Sequence, residues 1–130
     1  MLHNKRVLLL LLCICIAGFT NPTDAGCHPA VVHGDILDVH PQAGKVRVLT
    51  GHGMLILELD AGCRIMRGLQ EISCTALRPV YPGWYQDGLF MLNSEGRVVE
   101  ILANYSIREQ AGFLVSYDIF GEIKMMEPLP

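Results

Sequence analysis

Beyond residue 34, hydrophobic and polar positions alternate in short stretches that are separated by turn residues. In residues 45–50, Val46 and Val48 fall on one face while Lys45 and Arg47 fall on the other. A period of two is typical of β-strands that are buried on one face only. The pattern predicts six strands, over residues 35–39, 45–50, 54–60, 84–92, 97–103 and 113–120.

One stretch between these strands, residues 61–82, is less regular. Within it, residues 74–77 predict a single short helical turn, with Ser73 as its N-cap. The turn has to end before Pro79, because a proline disfavours the helical conformation of the residue before it.

Together these elements predict an all-β fold. The architecture that fits is a small barrel of five to six strands, OB-like and open or closed, with one short helical insertion. The chain has no internal repeat and no low-complexity linker, which indicates one domain. We expect the barrel over residues 34–121, an N-terminal segment over residues 26–33, and a C-terminal tail over residues 122–130.

Residues 1–25 have the three-part form of a secretory signal peptide. Lys5 and Arg6 precede an uninterrupted apolar run over residues 7–16, and small residues favour cleavage between Ala25 and Gly26. The apolar run is shorter than the roughly 20 residues that cross a bilayer. We therefore expect export to the cell envelope, the periplasm or the medium, with no membrane span after cleavage. The alternative is a lipoprotein with a lipid on Cys27, which the polar residue before Ala25 disfavours.

Size and charge narrow the possible partners. Removal of residues 1–25 leaves about 105 residues, the size of one ordinary domain. The whole chain has a net charge of −3 and no run of Lys or Arg. A mildly acidic domain lacks the basic surface that binding to nucleic acids or anionic membranes requires. Protein and carbohydrate partners remain open.

Glycines at turns and aliphatic residues at core positions carry a resemblance over about residues 34–103. The chain resembles a family of small exported bacterial β-barrel domains of unknown function, which are similar to OB-fold barrels. Such domains occur alone or as modules of cell-envelope proteins. The resemblance implies the fold and export, but no catalytic residues. The motifs that carry it are Gly34-x-Ile36-x-x-Val39, Gly44-Lys45-Val46-x-Val48, Ile72-Ser73-x-x-x-Leu77-x-Pro79 and Asn93-x-x-Gly96-x-Val98-Val99-x-Ile101.

Three cysteines follow the predicted cleavage site: Cys27, Cys63 and Cys74. In an oxidising compartment two of them are expected to pair. Cys63–Cys74 encloses the shortest loop and is the favoured disulfide, while the two pairs with Cys27 stay open. Three reduced thiols are the alternative.

Cleavage after Ala25 would also create a metal site at the new amino terminus. A free amine on Gly26, the backbone amides of Cys27 and His28, and the His28 imidazole can surround Cu(II) or Ni(II) in a square plane. A frayed terminus whose third residue happens to be His is the simpler interpretation. Copper or nickel is thus an alternative cofactor for a chain that otherwise needs none.

Trp84 and Tyr85 lie in an aromatic stretch beside a Pro-Gly turn. On a strand these two residues alternate, so at most one ring faces inward and the other is a candidate binding surface. No serine elbow, zinc-protease helix or phosphate-binding glycine loop is present. The sequence therefore predicts a non-catalytic, exported binding or structural module. The alternative is a copper- or nickel-binding protein.

Overall fold

The computed structural model describes residues 30–130, and within them the prediction of an all-β fold is confirmed. Short 3-10 turns over Pro41–Ala43 and Cys74–Leu77 are the helical elements of this part of the chain, and none is long and apolar enough to cross a bilayer. The strands are β1 (Ala30–His40), β2 (Lys45–Thr50), β3 (Gly53–Arg67), β4 (Gln70–Glu71), β5 (Gln86–Leu92), β6 (Val98–Asn104), β7 (Ser106–Gln110), β8 (Phe113–Tyr117) and β9 (Ile123–Pro128).

Strands β1 to β6 form one sheet in the order β2-β1-β5-β6-β3-β4. Strand β2 pairs with β1 and also with β3. All of these pairings are antiparallel except that between β3 and β6, which run parallel. The β1–β2 connection is tight because Gly44 adopts a left-handed conformation, with φ of 61°.

The core of this sheet is made of the residues that the period of two turns inward. Val46 and Val48 are fully buried, whereas Lys45 and Leu49 beside them are exposed. The alternation therefore predicts correctly which face of β2 is buried. The other members of the core come from every large strand and from the second 3-10 turn: Ile36, Leu57, Ile65, Leu77, Phe90, Val98, Ile101 and Ala103.

A second, three-stranded sheet follows, in the order β7-β8-β9. The sequence indicated only β8 within it. Residues 122–130, expected to be a tail, contain β9, and residues 30–33 of the expected N-terminal segment belong to β1. The sequence did not indicate β7 and β9 because of their composition: β7 is mostly polar, and β9 places Met125 beside Met126. Neither strand shows the alternation on which a prediction depends.

The predicted helical turn is present as the 3-10 turn over Cys74–Leu77. The predicted cap is wrong, because the Ser73 side chain makes no bond to the turn's backbone. Its Oγ lies 2.8 Å from the hydroxyl of Thr75 instead. Arg78 is extended, with φ of −76° and ψ of 148°, as the following proline requires.

Gln86 fixes the loop that contains this turn. Its buried side-chain nitrogen donates hydrogen bonds to the carbonyl oxygens of Ala76, at 3.0 Å, and Arg78. The guanidinium of Arg67 donates to the Gln86 side-chain oxygen at 2.8 Å and to the Ala76 carbonyl at 2.9 Å. The side-chain amide of Gln86 thus links the loop to the start of β5. The residues just before this point line the cleft described below.

We expect Gln86→Leu to lower the free energy of unfolding by about 2 kcal/mol, because it takes the side-chain donor from the Arg78 carbonyl and one acceptor from the Arg67 guanidinium. Urea denaturation followed by the emission of the single tryptophan measures the change. Gln70→Leu, at an exposed position of β4, is the matched control and is expected to change stability by less than about 0.5 kcal/mol. Equal losses in the two variants would contradict the assigned role of Gln86.

Candidate functional site

A cleft of about 310 Å³ opens between the two sheets. Strand β1 supplies one wall, the segment just before β5 a second, and β8 and β9 the third. A cleft of this size lies at the lower end of the range for small-molecule sites. Its walls are formed by His33, Asp35, Gly83, Trp84, Tyr85, Ser116, Asp118, Lys124 and Met125.

Asp87 on β5 joins the two sheets behind this cleft. Its side chain is only 1% exposed. The His33 Nε2 atom lies 3.0 Å from Oδ2, and the Asn104 side-chain nitrogen donates to Oδ1 at 2.7 Å. The backbone N–H of Ile119 donates to Oδ2 at 2.8 Å. A buried carboxylate is tolerated when donors surround it in this way. Through these donors, Asp87 links β5 to β1, β6 and the β8–β9 loop.

Lys124 makes a second link between the sheets. Its Nζ atom lies 2.5 Å from Oδ1 of Asp35 and donates to the carbonyl oxygen of Tyr85 at 3.0 Å. The same atom is 4.0 Å from Oδ1 of Asp87. Lys124 therefore holds β9 against β1 and the start of β5, and places a positive charge between two carboxylates in the cleft wall.

The groups that remain available at the cleft are mainly hydrogen-bond acceptors. His33 Nε2 donates to the Asp87 carboxylate, and the other ring nitrogen has no hydrogen-bond partner within residues 30–130. Asp35 contacts Lys124 through Oδ1 only. Asp118 uses Oδ1 to accept the backbone N–H groups of Phe120 and Glu122, at 2.9 and 2.8 Å. The second oxygen of each aspartate remains available to a ligand that donates hydrogen bonds.

Both aromatic residues that the sequence singled out line the cleft, but differently. Trp84 is 3% exposed and packs edge to face on Tyr81, with ring centroids 5.8 Å apart. Tyr85 is 37% exposed. A tight turn at Gly83, with φ of 81°, brings the Trp84 backbone N–H to the Tyr81 carbonyl at 3.0 Å. Of the two cleft residues, Trp84 is thus the buried one and Tyr85 the partly exposed one.

The other predicted site residues lie elsewhere. Gly26, Cys27 and His28 fall outside the described residues, so the copper or nickel site stays a prediction. Cys63 and Cys74 are both free thiols, and no disulfide joins them in the structure. Within residues 30–130, no group of three or more His, Cys, Asp or Glu side chains is arranged to hold a metal ion.

A second, more open depression lies beside the β1–β2 turn and the start of β6, lined in part by Lys45, Glu58 and Arg97. Its two positive side chains both pair with its one carboxylate. Lys45 Nζ lies 3.9 Å from Oε1 of Glu58, and the Arg97 guanidinium lies 3.5 Å from Oε2 of the same residue. These pairs are exposed and contribute little to stability. The cleft between the sheets, with its buried carboxylate and partly exposed ring, is the better candidate for a ligand site.

Residues 87, 104 and 124 were not identified from the sequence as parts of a site. Asp87 occupies a position in β5 where the alternating pattern gives no sign of a buried charge. An aspartate within an otherwise apolar strand was the available signal, since a buried carboxylate requires partners. Its three donors come from segments far apart in the chain, so only the folded structure identifies them.

Comparison with protein-family models, with characterised proteins and with solved structures finds no match to this chain. The function therefore has to be argued from the site itself.

Proposed function

We propose that the chain is an exported, non-catalytic binding domain, and that the cleft between its sheets binds a carbohydrate. One observation carries the proposal. Acceptor groups from β1 and from the β8–β9 loop line a cleft of about 310 Å³ together with Tyr85, which is 37% exposed. Sugars present the matching chemistry, since they combine many hydroxyl donors with apolar C–H faces that pack on aromatic rings.

The way in which each group would act follows from its chemistry. Asp35 and Asp118 would each accept a hydrogen bond from a sugar hydroxyl through their available oxygens. Tyr85 would lie against a face of the ring. Lys124 already spans Asp35 and the Tyr85 carbonyl, so it would hold these two contacts at a fixed separation. The rigid linkage through Asp87 would keep the cleft preformed and reduce the entropy lost on binding.

Charge supports a neutral or amine-bearing ligand over an anionic one. Three aspartates, Asp35, Asp87 and Asp118, lie at or just behind the cleft against one lysine. A phosphate-rich ligand such as a nucleic acid would meet net repulsion there. This agrees with the net charge of −3 on the whole chain.

The finer architecture that we propose is an OB-like barrel. Strand β2 pairs with β1 and β3, β3 with β6, β6 with β5, and β5 with β1, so five strands form a continuous ring of pairings. OB-fold barrels have five strands and often bind oligosaccharides or oligonucleotides. Fold alone does not establish function, so the binding site is argued from the cleft.

Titration with neutral oligosaccharides built from hexose and N-acetylhexosamine units tests the proposal. Trp84 is the only tryptophan in the chain and lines the cleft, so its emission reports on binding directly. We expect a saturable change in emission. Tyr85→Ala and Asp35→Asn should each weaken binding by about tenfold, because each removes one principal contact. Tyr85→Phe keeps the ring and should bind nearly as well as the native chain.

Glu95→Gln, in the exposed turn between β5 and β6, removes a charge far from the cleft and serves as the control. It is expected to leave the affinity unchanged. If no oligosaccharide alters the Trp84 emission, the carbohydrate assignment is wrong. Binding that Tyr85→Ala and Asp35→Asn leave intact would place the ligand outside the cleft.

A further inference from the structure

Cys63 and Cys74 are directly opposite each other when the register of the β3–β4 hairpin is continued. Within the hairpin, Arg67 pairs with Gln70 and Met66 with Glu71. The next pair is still in register, because the Ile72 backbone N–H donates to the Ile65 carbonyl at 2.9 Å. Strand β4 ends at Glu71, but the same register continued for two more residues places position 63 opposite position 74, where the 3-10 turn begins.

The two thiols also lie on the same side of the hairpin. Side chains two residues apart on a strand share a face, so Cys63 shares a face with Ile65, and Cys74 follows Ile72 by two positions. Ile65 is buried in the core of the large sheet, and Ile72 and both cysteines pack against that core. Both cysteines therefore lie, partly buried, at the edge of the same apolar core.

We propose that Cys63 and Cys74 are a disulfide-forming pair that closes the hairpin against the core in an oxidising environment. Opposite residues of an antiparallel pair have Cα atoms about 4.5–5.5 Å apart, which falls within the range of about 4.4–6.8 Å that disulfides need. The 3-10 turn starts at Cys74 and the β3–β4 hairpin holds Cys63, so the bond would link the two elements. The reaction removes two electrons and two protons from the thiols, and a small disulfide such as oxidised glutathione accepts both.

The surroundings indicate a structural bond and not a catalytic dithiol. Burial, the neighbouring Cys74 and the carboxylates of Asp60 and Glu100 raise the pKa of Cys63 to about 11. Burial also raises the pKa of Cys74. Disulfide oxidoreductases depend on the opposite arrangement, a thiol whose pKa is lowered so that the thiolate is present at neutral pH. A bond between these two cysteines would form slowly and would then persist.

Peptide mapping of the full chain after incubation with oxidised glutathione tests the proposal. We expect tryptic peptides 48–64 and 68–97 to be joined by a disulfide, since the Arg78–Pro79 bond resists the protease. The thermal midpoint should rise by about 10 °C, because a short closed loop restricts the unfolded chain. The rate of bond formation should increase about tenfold per pH unit between about pH 7 and pH 9, following the thiolate fraction.

Cys27→Ser keeps both cysteines of the pair and is the matched control, so it should give the same linked peptides and the same rise in midpoint. Cys63→Ser and Cys74→Ser should each abolish the linked peptides and the rise in thermal midpoint. Each should leave a glutathione adduct on the remaining cysteine of the pair. A disulfide from Cys27 to either partner would overturn the proposal. So would complete alkylation of Cys63 and Cys74 after oxidation and denaturation. Because the oxidant is added, the result is independent of export and of carbohydrate binding.

Discussion

Replacing Asp87 with Asn is expected to lower the free energy of unfolding by about 3 kcal/mol or more. The carboxylate is buried and receives hydrogen bonds from His33, Asn104 and the Ile119 backbone. An amide of the same size offers one acceptor oxygen and places an NH₂ group against donors. Breaking a buried charged network from one side leaves its partners unpaired, which costs more than a surface interaction contributes.

Equilibrium urea denaturation measures the loss, and hydrogen exchange locates it. The Ile119 amide should exchange much faster in Asp87→Asn, because its acceptor is altered, while amides in the centre of β2 should change only with global stability. Asp60→Asn is the matched control. Its side chain contacts one exposed backbone N–H at 3.3 Å, so a change below about 0.5 kcal/mol is expected. An Asp87→Asn variant as stable as this control would show that Asp87 does not join the sheets.

Much of the large sheet could be predicted from the sequence because its strands are buried on one face. Strands β2, β5 and β6 fall within one or two residues of the stretches that alternation indicates. The extension of β3 to Arg67 could not be predicted, since residues 61–64 are mostly exposed on both faces. A strand that is solvated on both sides leaves no periodic hydrophobic signal.

The candidate site was only partly predictable for a different reason. Aromatic side chains beside a Pro-Gly turn drew attention to Trp84 and Tyr85, and both lie in the cleft wall. His33 and Asp35 lie on β1 and Lys124 on β9, far away in the chain, and only the packing of the small sheet on the large one brings them together. Their roles depend on mutual distances of 2.5–4.0 Å, which no spacing in the sequence encodes.

The buried carboxylate and the open cleft are linked by the same residues. Asp87 holds His33, which lines the cleft, through one ring nitrogen. It also lies 4.0 Å from Lys124, which fixes Asp35. The interactions that attach the small sheet thus also orient groups that line the cleft. For this reason, a variant that weakens the attachment is expected to reduce ligand affinity as well as stability.

Gly34→Ala is expected to lower the free energy of unfolding by as much as Asp87→Asn does, and the cause is steric. A Cβ atom at Gly34 would lie 2.5 Å from a methyl carbon of Val48 and 2.6 Å from the backbone carbonyl oxygen of Leu49. The backbone of β2 cannot move away without breaking its pairing with β1. Overpacking of a rigid core costs about 1–3 kcal/mol, and a clash with backbone raises the loss to about 3 kcal/mol or more.

Gly51→Ala is the matched control, because a Cβ atom at Gly51 would meet no atom within 4 Å. The thermal midpoint of Gly34→Ala should be several degrees lower than that of Gly51→Ala. Its urea midpoint should also be clearly lower. Gly34 faces Gly88 across the β1–β5 pairing, and β1 carries an irregularity just beyond, between Ile36 and Asp38. Both features let a strand bend sharply between two neighbours. Equal stability of the two variants would contradict the predicted clash and mean that the backbone of β1 or β2 has room to shift.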